Sequence, residues 1–271
     1  MVNTTPIPLS SNLQIGGNDI LLMAGPCSVE SYEQTYAVAK SMHALGLRVL
    51  RGGAFKPRTS PHAFQGLGLE GLKILRHVAD EFGLLVISEA LGVEQLPLVA
   101  EYSDIIQIGS RNMQHFPLLW AAGEQPKPIL LKRGFMSTIQ EWLAAVEHIT
   151  SHGNLAENQR GNQQIILCER GIRGFDPSTR NILDVNAIAY IKSSTCFPII
   201  ADPSHATGSA DLVPAAARAA LAAGADGLLV EVHPNPSAAL SDGKQSLALA
   251  ALPAFVDDMR RIASAMGRGL T

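Results

Sequence analysis

Eight short apolar runs recur along the chain, and their number and spacing restrict its fold more than any other feature. They are ILLMAG (20–25), LRVLRG (47–52), LLVISEA (84–90), DIIQIG (104–109), PILLKRG (128–134), QIILCERG (164–171), PIIADP (198–203) and DGLLVEV (226–232). Their apolarity is continuous rather than alternating, which is typical of strands buried on both faces of a parallel sheet. Helix-like segments lie between most of the runs. Eight strands alternating with helices predict an α/β fold, the (β/α)8 barrel, which commonly takes roughly 250 residues.

The N-terminal stretch SNLQIGGNDI (11–20) predicts two short strands around a Gly-Gly-Asn-Asp turn. We expect this hairpin to close the bottom of the barrel. Residues 1–19 are therefore predicted as an N-terminal extension with the hairpin, and residues 20–271 as the catalytic barrel. Segment 110–127 has room for only a short helix.

Composition excludes several classes of protein. The net charge of −3 argues against nucleic acid as a partner. The three cysteines, Cys27, Cys168 and Cys196, are odd in number and form no C-x-x-C pair, so a disulfide framework is not expected. The N-terminus lacks the pattern of a signal peptide, and no apolar run reaches the roughly 18 residues of a membrane span. We expect a soluble cytoplasmic protein with no membrane partner.

Polar or ionisable groups follow every predicted strand, at the end where (β/α)8 enzymes carry their active sites. Each alone has an ordinary structural explanation, but a ring of them must pair with one another or with ligands, because burying an unpaired charge is costly. One set is suited to a borderline divalent cation such as Mn, Fe, Co or Zn, and consists of Cys27, His205, Glu231 and Asp242. His233 is a rival ligand, which we favour as support for the loop.

The second set is cationic. It comprises Arg51, Lys56, Arg58, Arg111, Lys132 and Arg170. Six cations beside a metal ion indicate a substrate with several negative charges, such as two phosphates and a carboxylate. Backbone amides of Gly109 and Ser110 would add donors to a phosphate. A metal ion with such cations suggests the condensation of phosphorylated small molecules.

Seven motifs together resemble one enzyme family over roughly residues 12–265. They are AGPCSVES (24–31), RGGAFKPRTSP (51–61), IQIGSRNMQ (106–114), LLKRG (130–134), ERGIRGFDPSTRNILD (169–184), ADPSHATG (201–208) and VEVHPNPSAALSDGKQSL (230–247). The family is that of the 3-deoxy-D-arabino-heptulosonate 7-phosphate (DAHP) synthases, in the smaller Iβ subgroup. Its members join phosphoenolpyruvate to erythrose 4-phosphate, the first step of the shikimate pathway of aromatic amino acid biosynthesis.

The resemblance implies one divalent metal ion per subunit, and it implies a role for each site residue. The implied metal ligands are Cys27, His205, Glu231 and Asp242. The implied contacts to phosphoenolpyruvate are Arg51 and Lys56 at its carboxylate, and Arg111, Lys132 and Arg170, with Gly109 and Ser110, at its phosphate.

The same resemblance implies a sugar site and the catalytic groups. Arg58 and Thr59 would hold the phosphate of erythrose 4-phosphate, with Pro57 stiffening the loop. Asp202 would support the sugar end of the site. Glu89 would lie beside the water that attacks carbon 2 of phosphoenolpyruvate. The proton donor to the new alkoxide is left open between Lys56 and a water bound to the metal ion.

The chain departs from the subgroup in two positions and in length. Ser110 and His115 stand where the subgroup usually has Ala and Asn. We expect no regulatory domain, and hence an enzyme insensitive to aromatic amino acids unless a separate partner, such as a chorismate mutase, regulates it. The resemblance also implies a homotetramer.

Two other functions remain as alternatives. 3-Deoxy-D-manno-octulosonate 8-phosphate synthases share the barrel but take arabinose 5-phosphate and typically have a different sugar loop, so Lys-Pro-Arg-Thr at residues 56–59 favours the four-carbon sugar. A non-catalytic barrel that senses a phosphometabolite would show gaps in the catalytic set, and the sequence has none.

Overall fold

Residues 3–57, 60–152 and 161–271 are described by the structure, a computed structural model. Its strands are β1 (Ile7–Ser10), β2 (Leu13–Ile15), β3 (Leu21–Gly25), β4 (Val49–Arg51), β5 (Leu85–Ala90), β6 (Ile105–Ile108), β7 (Ile129–Lys132), β8 (Ile165–Glu169), β9 (Ile199–Ala201), β10 (Gly227–His233) and β11 (Leu247–Ala248). Each of the eight apolar runs forms one of the strands β3 to β10, as the sequence predicts.

Strands β3 to β10 are parallel and close into a barrel, because β10 pairs with both β9 and β3. In the β10–β3 pairing, Glu231 lies opposite Gly25. Strand β11 adds to the outer end of β10. The (β/α)8 prediction is therefore confirmed, and closure makes the first and last barrel strands neighbours.

Helices cover the outside of the barrel, except for the short α7 (Pro203–Thr207), which lies at its C-terminal end. They are α1 (Tyr32–Ala44), α2 (Leu69–Phe82), α3 (Leu96–Tyr102), α4 (Phe116–Gly123), α5 (Ile139–Ser151), α6 (Val185–Ser194), α7 (Pro203–Thr207), α8 (Val213–Ala222) and α9 (Leu252–Ala265). Several boundaries follow from capping residues: Ser31 accepts a hydrogen bond at the start of α1, and Gly83, with φ of 62°, ends α2. Segment 110–127 holds only one 3-10 turn and the eight-residue α4, as expected. Among the described helices, none is both long and apolar enough to cross a membrane.

The barrel has two apolar layers. An outer layer lies between strands and helices, and an inner cluster fills the barrel itself. The inner cluster includes Leu21, Val49 and Ile105, near the starts of their strands, together with Ile7 and Ile15 of the hairpin. The hairpin therefore closes the N-terminal end of the barrel, and the C-terminal end is left for polar side chains.

The predicted position of the hairpin turn, at residues 16–19, is wrong. Strands β1 and β2 pair antiparallel with Ser10 opposite Leu13, so the chain reverses at residues 11–12 and not at the Gly-Gly-Asn-Asp stretch. The first strand contains Pro8, which reads as a strand breaker, but the edge of a two-stranded sheet tolerates proline. Gly16, with φ of 85°, instead begins the connection from the hairpin to β3.

Candidate active site at the barrel mouth

Four side chains with metal-ligating atoms meet at the C-terminal end of the barrel. One donor atom each from Cys27, His205, Glu231 and Asp242 lies within 4.8 Å of all the others. Cys27 follows β3, Glu231 lies in β10 and His205 lies on α7. The Cys27 thiol is 3.3 Å from Asp242 Oδ2, and His205 Nε2 is 3.3 Å from Glu231 Oε1. We call these four residues the ligand group.

His205 is oriented by the start of its own helix. Asp202 is the N-cap of α7: its Oδ1 accepts a hydrogen bond from the His205 backbone N–H, and its Oδ2 lies 2.7 Å from His205 Nδ1. Because an ionised carboxylate only accepts, Nδ1 is the protonated nitrogen and Nε2 is left with its lone pair toward Glu231. This is the tautomer that a metal-ligating histidine needs.

Burial and neighbouring charges shift the pKa values of Cys27 and Glu231 in opposite directions. Burial, together with the charge of Glu231, raises the pKa of Cys27 to about 12. Burial opposes ionisation of Glu231 as well, but His205 and Arg51 outweigh it and lower the pKa of Glu231 to about 2. Arg51 donates to Glu231 at 2.9 Å, and Lys56 Nζ lies 3.1 Å from the Cys27 sulfur.

The donor set fits a borderline divalent cation. Sulfur, imidazole nitrogen and carboxylate oxygen are the ligands that Zn, Fe, Co and Mn take in proteins. The four residues lie at or after the ends of the first, seventh and eighth barrel strands, β3, β9 and β10. The set is fully buried or half-buried, so its negative charge requires compensation. A divalent cation would supply that compensation at the centre of the group.

A cavity of about 340 Å³ opens beside the ligand group. The predicted site residues that line it are Lys56, Pro57, Glu89, Gly109, Ser110, Arg111, Lys132, Arg170, His205 and Asp242. The strand ends therefore converge as predicted, and cations surround a space of small-molecule size.

Three arginines surround one aromatic ring on the cavity wall. The guanidinium groups of Arg111, Arg170 and Arg173 lie 5.5, 4.7 and 5.3 Å from the centre of the Phe135 ring. Burial lowers the pKa of Arg170, as expected for a cation removed from water. Like charges held this close around an open cavity favour an anionic ligand, and phosphate is the group that arginine forks bind best.

Glu89 stands at the end of β5 against the cavity. Gln107 donates a hydrogen bond of 3.0 Å to Glu89 Oε2. A Cβ atom on Gly109 would lie 2.0 Å from Glu89 Oε1, so a side chain at position 109 would displace the carboxylate. Gly109 is therefore required at this point for close approach, in addition to any role of its backbone in binding.

Two predicted substrate contacts, Arg51 and Asp202, lie behind the cavity wall. Both are buried: Arg51 donates to Glu231 and to the Pro26 carbonyl, and Asp202 accepts from Lys132 and His205. Lys132 and His205 outweigh burial and hold the pKa of Asp202 well below its usual range. Their direct contact with a substrate stays a prediction.

Of the remaining predicted positions, the structure describes His233 and Ser110, whereas Arg58 and Thr59 lie outside the described residues. His233 is not in the ligand group; it lies 3.3 Å from Glu30, which also accepts from the Leu240 backbone, in line with a supporting role. The Ser110 hydroxyl is buried without a hydrogen-bond partner among the described residues.

Sequence reasoning missed the neutral and aromatic members of the site. It searched strand ends for ionisable groups, and so passed over Gln107 within β6, Gln245 just beyond Asp242, and Phe135. Arg180, which lines the cavity, was also missed: it lies within the motif of residues 169–184 but eleven residues beyond the end of β8 at Glu169. Gln245 had one available signal, its place three residues after a proposed ligand.

The chain matches the DAHP synthetase I family over residues 4–266. It is 52% identical over 256 residues to the phospho-2-dehydro-3-deoxyheptonate aldolase of Thermotoga maritima, covering 94% of this chain and 73% of that protein. It is 34% identical over 272 residues to the 2-dehydro-3-deoxyphosphooctonate aldolase of Syntrophotalea carbinolica, covering 93% of this chain and 94% of that protein.

Solved structures give the same result. The crystal structure of the Thermotoga maritima phospho-2-dehydro-3-deoxyheptonate aldolase (DAHP synthase) superposes with a TM-score of 0.92 at 50% identity, covering 99% of this chain and 76% of that one. A truncated form of 3-deoxy-D-arabino-heptulosonate 7-phosphate synthase from the same organism gives 0.90 at 47% identity, covering 99% and 95%.

Proposed function

The chain belongs to the DAHP synthetase I family, and from that premise we propose how its barrel mouth catalyses the DAHP synthase reaction. This reaction joins phosphoenolpyruvate to D-erythrose 4-phosphate and releases phosphate, at the start of the shikimate pathway. One observation carries the assignment of roles: the ligand group and the cationic cavity share one opening and two residues, His205 and Asp242.

Cys27, His205, Glu231 and Asp242 would hold one divalent metal ion, which, when bound, acts as a Lewis acid on the sugar aldehyde. The donor set accepts Mn, Fe, Co or Zn, so the choice among them rests with availability as much as with ligand type. Asp202 keeps His205 in the ligating tautomer by accepting a hydrogen bond from its Nδ1–H group.

Phosphoenolpyruvate would lie across the cavity between two groups of cations. Arg111, Lys132 and Arg170 bind its phosphate, with the backbone amides of Gly109 and Ser110 as further donors. Arg51 and Lys56 bind its carboxylate from the side of the ligand group. This orientation fixes the three-carbon unit at both ends, so that carbon 3 faces the aldehyde carbon of the sugar.

In the reaction, carbon 3 of phosphoenolpyruvate forms the new carbon–carbon bond with the aldehyde carbon, and positive charge develops at carbon 2. Water adds to carbon 2, and the bond from carbon 2 to the phosphate oxygen then breaks. Glu89, which accepts a hydrogen bond from Gln107, would orient that water and take its proton. The cations around Phe135 stabilise the departing phosphate.

Lys56 is our candidate for protonating the alkoxide formed from the aldehyde. Burial disfavours its charge, but the Cys27 sulfur and Glu231 outweigh burial and raise the pKa of Lys56, so its ammonium group is protonated at neutral pH. Its Nζ donates to the Cys27 carbonyl at 2.9 Å, which holds it at the cavity edge.

The sugar phosphate would be bound by Arg58 and Thr59, next to Pro57 on the cavity wall. We further propose a cytoplasmic homotetramer, with a separate chorismate mutase as its regulatory partner. These assignments follow from the family resemblance. The mass of the native assembly tests the homotetramer, and binding measurements test the sugar site and the partner.

Phosphate release tests the proposal. Purified protein is assayed with phosphoenolpyruvate and Mn²⁺, with either erythrose 4-phosphate or arabinose 5-phosphate as the second substrate. We expect release with the four-carbon sugar, loss of activity after EDTA, and recovery on adding the metal ion back. Preferential use of arabinose 5-phosphate would favour the octulosonate reaction, and binding without release from either sugar would indicate a non-catalytic barrel.

A further inference from the structure

Beside the ligand group, Arg180, which also lines the cavity, and the buried Gln245 form a hydrogen-bonded chain that includes no proposed substrate contact. Arg180 Nη1 donates to Gln245 Oε1 at 2.6 Å, and Gln245 Nε2 donates to Glu231 Oε2 at 2.7 Å. The same Arg180 nitrogen lies 3.7 Å from Asp242 Oδ1. Two residues therefore reach both carboxylates of the ligand group.

The chemistry of these groups determines which of them donates and which accepts in each hydrogen bond. A guanidinium group only donates hydrogen bonds, and an ionised carboxylate only accepts them. The Gln245 amide must therefore turn its oxygen to Arg180 and its NH2 group to Glu231. Gln245 is only 2% exposed, so water cannot replace either partner, and the orientation of the amide is locked.

The contacts of Arg180 and Gln245 also determine which oxygen of each carboxylate faces the ligand group. Glu231 Oε2 is occupied by Gln245, while Oε1 faces His205 Nε2 at 3.3 Å and also accepts from Arg51 at 2.9 Å. Asp242 Oδ1 lies toward Arg180, while Oδ2 lies 3.3 Å from the Cys27 sulfur. In each carboxylate, the oxygen on the side of Arg180 and Gln245 is turned away from the group and the other oxygen faces it, and on Glu231 that second oxygen also accepts from Arg51.

The backbone around Arg180 is fixed to the helix that carries His205. The Arg180 N–H donates to the Thr207 carbonyl at 3.1 Å, and the Asn181 N–H donates to the Ala206 carbonyl at 2.8 Å. Gly208 has φ of 70°, and a Cβ atom there would lie 2.6 Å from the Arg180 Cβ atom. The loop after β8 thus packs tightly on α7, which places Arg180 without help from a ligand.

From this geometry we propose that Arg180 and Gln245 are positioning residues of the metal centre. They hold Glu231 and Asp242 in the orientation that binds the cation, and so set its affinity. The inference rests on the proposed function, because it requires a divalent metal ion at the ligand group. Loss of partners that orient metal ligands typically weakens metal binding by about 10- to 100-fold.

Calorimetric titration of chelator-stripped protein with Mn²⁺ tests the proposal directly. We expect Arg180→Met and Gln245→Met each to raise the Kd for Mn²⁺ by about 10- to 100-fold. The double variant is expected to lose less than the two single losses combined, because both residues act through one chain. Arg218→Met is the matched control: Arg218 pairs with Asp258 away from the barrel mouth, and its side chain is 43% exposed against 37% for Arg180.

Two further variants separate orientation from simple packing. Gln245→Glu still accepts from Arg180 but places a second carboxylate against Glu231, so it is expected to weaken Mn²⁺ binding more than Gln245→Met. Arg180→Lys keeps a positive charge and a donor, and is expected to lie between the wild type and Arg180→Met. Thermal unfolding of each metal-free protein identifies any variant that fails to fold.

The outcomes distinguish this inference from the proposed function. A wild-type protein that does not bind Mn²⁺ would overturn the proposed metal site itself. Wild-type binding with variant Kd values within about twofold would overturn only the positioning role. Unchanged Mn²⁺ affinity in Arg180→Met with a raised KM for erythrose 4-phosphate would make Arg180 a substrate contact, and the inference would be wrong.

Discussion

The two ends of the barrel are built by the same eight strands but are filled in opposite ways. At the N-terminal end, the hairpin packs Ile7 and Ile15 onto apolar residues inside the barrel. At the C-terminal end, the interior carries the ligand group and the cations of the cavity. Charged groups at the mouth stay buried only because they pair with one another, whereas the bottom needs no pairing. We therefore expect stability to depend on the bottom and chemistry on the mouth.

The largest effect is expected at the ligand group. Cys27→Ala removes the sulfur ligand, and losing a Lewis acid worth several kcal/mol corresponds to a fall in kcat of at least about 1,000-fold. Activity and bound metal are measured on the same sample. Cys196→Ala, which changes an exposed cysteine, should leave both unchanged. Full metal content and turnover in Cys27→Ala would remove the basis of the contrast between mouth and bottom.

The opposite effect is expected at the hairpin. Ile15 is fully buried against the barrel interior, so Ile15→Ala should lower the free energy of unfolding by about 2–5 kcal/mol. Because Ile15 does not line the cavity, kcat and KM of the folded fraction should not change. Chemical denaturation and steady-state kinetics give the two numbers, with Val93→Ala, at a 40% exposed position, as the control. A change in kcat without a change in stability would show that the two ends are coupled.

A smaller effect is expected where one cation of the cavity is removed. Arg111→Met deletes a charged donor to the proposed phosphate, and a hydrogen bond to a charged group is worth about 1.5–3 kcal/mol. The KM for phosphoenolpyruvate should therefore rise about 10- to 100-fold, while Mn²⁺ affinity stays the same. Arg260→Met, on the exposed face of α9, serves as the control. An unchanged KM would place the phosphate away from Arg111.

The smallest effect is expected at Ser110. Its hydroxyl has no hydrogen-bond partner among the described residues, and the proposed contact to phosphate uses its backbone N–H. Ser110→Ala should therefore change kcat/KM by less than about threefold and leave stability within about 0.5 kcal/mol. A large loss of activity would mean that the hydroxyl itself binds substrate, and that this departure from the subgroup alters specificity.

Much of the fold was predictable because it depends on local composition. Short continuous apolar runs such as ILLMAG (20–25) and QIILCERG (164–171) are typical of buried strands, and the structure confirms each of the eight. The hairpin turn was misplaced because Gly-Gly-Asn-Asp has the residues of a turn, and only the pairing of β1 with β2 shows that the chain reverses earlier, at residues 11–12. The division into residues 1–19 and 20–271 stays a prediction.

The site was predictable where it is built from charges at strand ends. The family resemblance and the strand order already placed Cys27 beside Glu231, since closure makes their strands neighbours. Neutral partners escaped prediction because an amide such as Gln245 has no distinctive pattern in sequence. Its role depends on whether a donor and an acceptor lie on either side of it.

By itself, then, the sequence determined the barrel, its active end and the residue types gathered there. Only the tertiary structure decided which partner each group has: Arg51 and Asp202 behind the wall, and Arg180 with Gln245, 65 positions away. The physical reason is that burial follows from local apolarity. A hydrogen bond instead requires a donor and an acceptor from segments far apart in the chain to be positioned to within a fraction of an ångström. Barrel closure sets those distances.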